Sequence, residues 1–246
     1  MRLMDRTAIV TGAGSGFGAG IARTFAAEGA RVIVADIDEA AARTVAAEVG
    51  GTALRVDVAS AESVAAMAAG AAATLGRVDI LVNNAGVTHL PALLEEVSEA
   101  DFDRVFAVNC KSVYLTARAL VPMMKKAGRG AILNVASTAG LSPRPRLNWY
   151  NASKGWMITA TKAMAVELAP AGVRVNAICP VAGETPLLKS FLGEDTPEMR
   201  ARFLATIPIG RFSTPQDIGN AACFLCSDEA SMITGVALEV DGGRCI

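Results

Sequence analysis

TAIVTGAGSGFGAGIARTFAAEGARVIVADID, residues 7–38, is the stretch that decides the fold of this chain of 246 residues. It opens with a short apolar run rich in β-branched residues (7–12), which leads through a series of glycines into an alanine-rich segment with helical periodicity (18–28). A second apolar run follows at 31–38. A strand, a helix and a second strand of these lengths predict a βαβ unit with parallel strands.

The same alternation continues along the rest of the chain. Further strand-like runs lie at 53–58, 78–86, 130–137, 173–180 and 237–243, and segments with helical periodicity lie at 39–49, 61–75, 98–127, 150–169 and 215–226. Nearly continuous apolar strands are typical of a parallel sheet that helices cover on both faces. The sequence therefore predicts an α/β fold, a single doubly wound Rossmann-type domain over residues 1–246 with a parallel seven-stranded sheet.

The composition indicates a folded protein and argues against several kinds of partner. The chain is 52% hydrophobic and 19% charged, with a formal net charge of −1, and no basic block suggests nucleic acid or an acidic membrane. The N-terminus lacks a signal-peptide pattern, and no apolar stretch reaches membrane-spanning length. The five cysteines are odd in number and scattered, so we expect a reduced, cytoplasmic setting. Cys223 and Cys226 form a C-x-x-C within a predicted helix, but no second pair completes a metal site.

The glycine-rich segment between the first strand and the first helix favours a bound phosphate. Glycines at 12, 14, 16, 18 and 20 allow a tight turn and a close approach of the backbone to a ligand. The helix N-terminus behind them offers unpaired N–H groups and a partial positive charge, which suit a pyrophosphate. The segment is not a P-loop, because no Gly-Lys-Ser/Thr follows, and it does not fit G-x-G-x-x-G cleanly.

Asp36 makes the ligand more specific. It ends the second strand-like run, 24 residues after Gly12, where an acidic residue holds the ribose of a dinucleotide. Its carboxylate would accept hydrogen bonds from both adenosine hydroxyls and repel a 2′-phosphate, so NAD is expected in preference to NADP. The alternative is that Asp36 caps the next helix.

Residues 181–210 interrupt the strand–helix rhythm. The segment mixes glycines and prolines with large apolar residues, and it follows a strand's carboxyl end, where open α/β sheets bind ligands. A connection this long in a compact domain is often a lid, so we predict a substrate-binding loop here.

Tyr150 and Lys154 form a candidate acid–base pair. Four helical residues turn through about 400° and advance about 6 Å, which places both side chains on one helix face. A free tyrosine is about 0.1% ionised at pH 7, and a nearby ammonium favours the phenolate, so Lys154 is expected to lower the pKa of Tyr150. The alternative is a chance pair on a solvated helix face.

Several motifs together resemble the classical short-chain dehydrogenase/reductase family. TGAGSGFG (11–18) matches its T-G-x-x-x-G-x-G, NNAG (83–86) follows the fourth predicted strand as it does there, and Ser137 with YNASK (150–154) matches its Ser and Tyr-x-x-x-Lys. Asn109 matches the helix asparagine, and DV (57–58) and VDGG (240–243) also fit. The resemblance covers essentially the whole chain. It departs after the sixth strand, where Val181 replaces the family's glycine and Gly183 comes two places later.

The resemblance implies an NAD(H)-dependent oxidoreductase, an alcohol dehydrogenase or carbonyl reductase that transfers a hydride between nicotinamide and a secondary alcohol or ketone. It also implies a homotetramer. Tyr150 would exchange the proton, Ser137 would hydrogen-bond the reacting oxygen, Lys154 would also hold the nicotinamide ribose, and Asn109 would anchor a water that links Lys154 to solvent. The positions that match the family's cofactor contacts are Gly12, Ser15, Gly16, Phe17, Gly18, Asp36, Asp57, Val58, Asn84, Ala85, Gly86, Tyr150, Lys154, Pro180 and Thr185.

Alternatives remain open at this point. Ser137 could be a helix cap, and Asn109 could be a helix-interior polar residue bonded to backbone. A 3-oxoacyl-thioester reductase of the same family is the nearest other activity, although those acting on acyl carrier protein usually favour NADPH, which Asp36 argues against. A dinucleotide-binding sensor would need only the glycine loop.

Three further residues are candidates for contact with the substrate. His89 follows NNAG and could face the substrate, although a solvated loop histidine is the more common case. Arg144 and Arg146 lie between Ser137 and Tyr150, flanked by prolines that stiffen the backbone. Arginine suits a carboxylate or phosphate, so one of them, Arg144 first, could bind an anionic substrate group. Exposure to solvent or a subunit contact is the commoner role.

Overall fold

Seven parallel strands form one sheet. The computed structural model describes the backbone of residues 1–246 and every side chain except that of residue 192. The strands are β1 (Thr7–Thr11), β2 (Arg31–Asp36), β3 (Thr52–Arg55), β4 (Ile80–Asn83), β5 (Gly130–Val135), β6 (Val173–Pro180) and β7 (Ala237–Val240). Their order is β3-β2-β1-β4-β5-β6-β7, and every neighbouring pair is parallel. The predicted sheet is confirmed.

Helices cover both faces of this sheet. They are α1 (Gly16–Ala27), α2 (Glu39–Val49), α3 (Ala61–Leu75), α4 (Glu99–Phe106), α5 (Ser112–Ala127), α6 (Asn148–Leu168), α7 (Leu188–Leu192), α8 (Pro197–Leu204) and α9 (Pro215–Cys226). Residues of α1, α2 and α9 pack on one face, and residues of α3, α5 and α6 pack on the other. The doubly wound Rossmann-type fold is therefore confirmed. None of the described helices is long and apolar enough to cross a membrane.

The two faces explain why the strands read as unbroken apolar runs. In β1, Val10 packs with Phe25 and Ile218 on one face, and its neighbour Ile9 packs with Met67 on the other. Successive strand residues point to opposite faces, so a strand buried on both sides needs apolar residues throughout. Each large apolar side chain buried in this way contributes roughly 1.5–3 kcal/mol.

The predicted helix over 98–127 is interrupted. A π-helical turn, Ala107–Lys111, separates α4 from α5. Turns of this kind insert one extra residue into a helix and are frequent at functional sites. Apolar periodicity does not register a single inserted residue, so the sequence pattern predicted one continuous helix.

The segment at 181–210 is partly helical, since it contains α7 and α8. Val181, Leu188, Ile207 and Phe212 form a small apolar cluster beneath it. The segment therefore has its own core and is more ordered than the loop that glycines and prolines suggested.

The chain reverses its direction of progress across the sheet at β1. From β1 the strands proceed outward to β2 and β3, and β4 then returns to the opposite side of β1. Connections leave on opposite sides at such a point and open a crevice at the carboxyl ends of the strands. This crevice contains the candidate site.

Candidate active site

A cavity of about 440 Å³ lies at the carboxyl ends of the strands. It brings together most of the positions that the resemblance named: Gly12, Ser15, Gly16, Phe17, Asp36, Asp57, Val58, Asn84, Ala85, Gly86, Ser137, Tyr150, Lys154, Pro180 and Thr185. Gly18 and Asn109 are not among its lining residues. Apolar residues complete the wall. Leu187 and Phe191 belong to the predicted substrate-binding loop, and Val87 is one that the sequence did not single out.

Asn84 locks the glycine loop against the end of β4. Its side-chain amide donates to the carbonyls of Thr11, at 2.8 Å, and Gly12, at 3.0 Å. Gly12 has φ +61°, and a Cβ there would lie 2.8 Å from the Cα of Ala85. Only glycine fits this position, because both the backbone conformation and the space exclude a side chain.

Gly18 does not line the cavity, and its surroundings show a packing role. A Cβ at this position would lie 2.2 Å from the Gly12 carbonyl oxygen and 2.4 Å from the Asn84 amide nitrogen. Gly18 therefore lets α1 approach the end of β1 closely, which is the function of the last glycine in loops of this kind.

The N-terminus of α1 has no side-chain cap, whereas those of α2, α3 and α9 do. Ser15, its N-cap residue, makes no side-chain capping hydrogen bond. By contrast, Asp38, Ser60 and Thr214 cap α2, α3 and α9. The free N–H groups of α1 therefore face the cavity beside glycines without side chains, an arrangement that fits a pyrophosphate.

Asp36 lies at the opposite end of the cavity from Tyr150. Its Oδ2 accepts from the Gly14 N–H at 2.8 Å, and its Oδ1 accepts from the Asp38 N–H at 3.0 Å. Asp38, not Asp36, caps α2 by accepting from the Ala41 N–H, so the capping alternative is wrong. Asp57 lines the same end. A carboxylate oxygen can accept more than one hydrogen bond, so Asp36 retains capacity for two ribose hydroxyls.

Tyr150 is buried near the start of α6, with only 4% of its surface exposed. The ring of Phe191, on α7, contacts it edge-on with centroids 5.1 Å apart. Burial raises the pKa of Tyr150 to about 12, although a side-chain hydrogen bond with Ser137 and the charge of Arg144 act in the opposite direction. The phenol is therefore protonated at neutral pH and can donate a proton.

Lys154 does not lower the pKa of Tyr150 in this structure, which differs from our prediction. Its Nζ donates to the Val135 carbonyl at 2.8 Å and lies 5.9 Å from the centre of the Tyr150 ring. Burial lowers the pKa of Lys154 to about 8. Helical spacing brought the two side chains to one face, as expected, but a backbone carbonyl on β5 takes the ammonium.

Asn109 lies beside the cavity wall, on the π-helical turn. Its Oδ1 accepts from the Val87 N–H at 2.9 Å, and its Nδ2 donates to the Val87 carbonyl and to the Ser153 hydroxyl. A Cβ at Gly86 would lie 3.4 Å from both Asn109 Oδ1 and Lys154 Nζ. Asn109 therefore braces the strand end beside Lys154, with its amide bonded largely to backbone.

Ser137 combines the two roles that were considered for it. Its hydroxyl oxygen accepts from the Ala139 N–H at 3.0 Å and so caps a short 3₁₀ turn at 138–140. The same side chain lines the cavity and hydrogen-bonds Tyr150. The turn thereby fixes the hydroxyl next to the phenol.

The shifted glycine after β6 has a local structural reason. A Cβ at Gly183 would lie 2.3 Å from the ring of Phe17, and Gly183 pairs with Ser213 in an isolated parallel bridge. Thr185 rests against Gly16, whose φ is +53°. The chain after β6 is thus packed directly on the glycine loop.

The three residues considered for substrate contact have different outcomes. His89 is buried, with Nδ1 2.8 Å from the Leu90 carbonyl, and it does not line the cavity, so the solvated position expected for it is wrong. Arg144 lines the cavity and is half-buried, whereas Arg146 is exposed with φ +67°. The solvent position favoured for this pair therefore holds only for Arg146.

Comparisons with known proteins find relatives along nearly the whole chain. Residues 12–244 match the protein-family model described as enoyl-(acyl carrier protein) reductase. The chain is 49% identical to a 4-formylbenzenesulfonate dehydrogenase of Comamonas testosteroni, with all of both chains covered. It is 39% identical to a 2-(S)-hydroxypropyl-CoM dehydrogenase of Xanthobacter autotrophicus, covering 98% of this chain and 97% of the relative.

A solved structure is similar over nearly the full length. The crystal structure of 3-ketoacyl-(acyl-carrier-protein) reductase from Brucella melitensis, complexed with NADH, superposes with a TM-score of 0.95 at 50% identity, covering 99% of this chain and all of that one. The motifs, the sheet order and these relatives agree: the chain belongs to the classical short-chain dehydrogenase/reductase family of oxidoreductases.

Proposed function

We propose that the protein is an NAD(H)-dependent dehydrogenase that interconverts a secondary alcohol or other hydroxyl compound and its carbonyl partner. The observation that carries this proposal is the joint placement of Tyr150, Ser137 and Lys154 at one end of a cavity whose other end is Asp36. One ligand that spans this cavity would meet a ribose-binding carboxylate, a helix N-terminus and an acid–base group in turn.

The residues at the reacting end provide orientation and proton transfer. The bound cofactor would supply the hydride donor or acceptor. Ser137 would hold the carbonyl or hydroxyl oxygen of the substrate, and Tyr150 would give its phenolic proton to that oxygen during reduction. Because the pKa of Tyr150 is raised to about 12, carbonyl reduction suits the resting site. Alcohol oxidation would need the ammonium of Lys154 to turn toward the phenolate, which it would stabilise.

The residues at the other end favour NAD over NADP. The described lining residues there include two carboxylates, Asp36 and Asp57, while the cations of the lining, Arg144 and Lys154, lie beside Tyr150. A 2′-phosphate next to Asp36 would meet a like charge, and no cation of the described lining lies at that end. Gly12, Ser15 and Gly16 would surround the pyrophosphate, and Lys154 would also hold the nicotinamide ribose.

The remaining parts of the proposal concern the lid, the assembly and the compartment. Residues 181–210 would act as a lid over the substrate, because Phe191 and Leu187 line the cavity. A homotetramer is consistent with large apolar side chains on helix surfaces, such as Trp156 and Val166, which are 41% and 80% exposed. The five free cysteines suit a reducing cytoplasm. Light scattering of the purified protein would measure the assembly.

A 3-oxoacyl-thioester reductase is the second candidate, and the name of the Brucella relative favours it. Asp36 counts against the NADPH-dependent form that uses acyl carrier protein. The Comamonas relative is named for an aldehyde that carries a sulfonate, so small carbonyl compounds with and without an anionic group also belong among the substrates tested.

The test measures NADH and NADPH oxidation with ketones, aldehydes and a 3-oxoacyl thioester, for wild type and Tyr150→Phe. We expect turnover with NADH, and a fall in kcat of at least 100-fold in the variant, because the variant loses only the proton donor. The Kd for NADH should stay within about threefold. Substantial activity in Tyr150→Phe would remove Tyr150 from the mechanism, and cofactor binding without turnover would favour a sensor.

A further inference from the structure

Two half-buried arginines lie near each other, and one of them lines the cavity. Arg144, between β5 and α6, lines the cavity beside Tyr150. Arg244 follows β7 close to the last residue of the chain, and its charge acts on Arg144. Among the described residues, neither guanidinium has a hydrogen-bond acceptor or an ion-pair partner.

The guanidinium groups of Arg144 and Arg244 both lie over the ring of Phe203. The Cζ of Arg144 lies 4.7 Å from the centre of the Phe203 ring, and the Cζ of Arg244 lies 5.7 Å from it. Phe203 is on α8 and stacks on Phe212 at 5.8 Å. Each cation–π contact is attractive, but it leaves the N–H donors of the guanidinium group unsatisfied.

Arg174 shows how this protein satisfies a buried arginine when no ligand is involved. It is also half-buried, and its guanidinium donates to the carbonyls of Leu225, Ser227 and Ile233 at 2.7–3.2 Å. Arg144 has no such carbonyls around it. Burial lowers the pKa of Arg144, and the charge of Arg244 lowers it further, so two cations repel each other in a partly desolvated place.

The position of Arg144 relative to Tyr150 is fixed by the backbone. Asn151, the residue after Tyr150, donates its side-chain amide to the Arg144 carbonyl at 2.7 Å. Pro143 and Pro145 on either side restrict the backbone further. A site that positions an unpaired cation at a fixed place beside the reacting group is prepared for an anion.

We propose that Arg144, assisted by Arg244, binds the carboxylate or sulfonate group of a substrate whose carbonyl or hydroxyl carbon reacts at Tyr150. This inference rests on the proposed function and adds the substrate class. A planar guanidinium presents parallel N–H donors to two oxygens of such a group. The body of the substrate would lie along the apolar side chains of Leu187 and Phe191, which line the same cavity.

The experiment compares three para-substituted benzaldehydes that differ in the charge of the substituent: 4-carboxybenzaldehyde, 4-formylbenzenesulfonate and methyl 4-formylbenzoate. Wild type, Arg144→Ala, Arg244→Ala and Arg202→Ala are measured with NADH. Arg202 is an exposed residue of α8 next to Phe203 and is the matched control. Calorimetric titration of each NADH-loaded variant with benzoate gives a binding constant that does not depend on turnover.

We expect wild type to prefer the two anionic aldehydes over the ester. Arg144→Ala should lose about 10- to 100-fold more in kcat/KM on the two anions than on the ester, the range for hydrogen bonds to a charged group. The charge of Arg144 also acts on Tyr150, and that effect is common to all three aldehydes, so the difference between anion and ester reports the anion contact. Arg244→Ala should lose less, in the same direction, and Arg202→Ala should match wild type. The benzoate Kd should weaken in the same order. The carboxylate and sulfonate arms show which anion the pair prefers.

Equal losses on anion and ester, or no loss, would overturn the proposal. Failure of the proposed function would look different, since wild type would then turn over none of the three aldehydes. In that case the benzoate titration decides: weaker binding in Arg144→Ala than in Arg202→Ala supports the anion site, and equal binding, or none, rejects it.

Discussion

Replacing Asp36 by asparagine should reverse the cofactor preference. The carboxylate already accepts one backbone N–H on each oxygen, from Gly14 and from Asp38, and two ribose hydroxyls of NADH would add two charge-assisted hydrogen bonds. Such bonds contribute about 1.5–3 kcal/mol each, against about 0.5–1.5 kcal/mol for neutral ones. Loss of the charge should therefore cost NADH about 2–3 kcal/mol, which is about 30- to 150-fold in Kd.

NADPH should gain from the same substitution. A unit charge 4 Å from another contributes about 1 kcal/mol of repulsion even at the dielectric constant of water, and a 2′-phosphate carries more than one charge. The combined change in the ratio of the two dissociation constants should be at least about 100-fold. Titration of the protein with each reduced cofactor, followed by nicotinamide fluorescence, measures that ratio directly.

Two controls separate charge from loop damage. An asparagine at position 36 offers one acceptor oxygen in place of two, so the loop loses one backbone hydrogen bond and about 0.5–1.5 kcal/mol of stability. The melting temperature reports that loss. Asp38→Asn keeps an N-cap on α2 and removes a nearby charge outside the cavity, so its ratio should equal that of wild type. An unchanged ratio in Asp36→Asn, with the melting temperature close to wild type, would refute the ribose role of Asp36.

Three further predictions concern the proton chemistry and the loop. Ser137→Ala should lower kcat by about 100-fold, the cost of removing one donor to a reacting oxygen, with little change in KM; a pure KM effect on a ketone would contradict this. The folded protein binds the Lys154 proton less tightly than the unfolded chain does, because the pKa falls from 10.5 to about 8. The free energy of unfolding should therefore rise between pH 8 and 10 by roughly 1–3 kcal/mol in wild type relative to Lys154→Met. A difference between the two proteins that stays constant over this pH range in denaturant titrations would be evidence against a buried ammonium. Gly18→Ala should lower the stability of the protein by about 1–3 kcal/mol, which is about 2–12 °C in melting temperature. The control is Gly70→Ala in α3, where there is room for a Cβ, and it should leave the melting temperature equal or higher. Similar effects at both glycines would exclude the packing role of Gly18.

Most of the fold could be predicted from local sequence because the signals are periodic. The predicted bounds of α2, α3, α9 and β6 agree with the structure, and in each case Gly, Pro, Ser, Asp or Thr marks an end. The π-helical turn at Ala107–Lys111 could not be predicted, since one inserted residue leaves the apolar pattern nearly unchanged.

Site residues could be predicted where their role follows from spacing along the sequence. They could not be predicted where their role depends on neighbours in three dimensions. Spacing placed Tyr150 and Lys154 on one face, but it did not show that the Val135 carbonyl takes the ammonium. The burial of His89 was missed for the same reason. The sequence showed that Gly183 departs from the family pattern, but it did not show why. The reason is the ring of Phe17, which leaves no room for a Cβ at position 183.

The Phe191 ring contacts Tyr150 edge-on. A substrate ring that binds beside Tyr150 would therefore take the place of the Phe191 ring. Phe191 packs with Tyr150, Ala139 and Leu147, and it belongs to a helix of only five residues. We expect a ligand that reaches the Tyr150 hydroxyl to displace the Phe191 ring, and a flat molecule of ring size would then replace the contacts that Phe191 makes with Tyr150. A short aliphatic molecule leaves unfilled space, whose lining atoms lose their dispersion contacts. Selectivity among substrates at this end would therefore depend on how many van der Waals contacts a substrate makes in place of Phe191. It would not require a rigid opening of fixed shape.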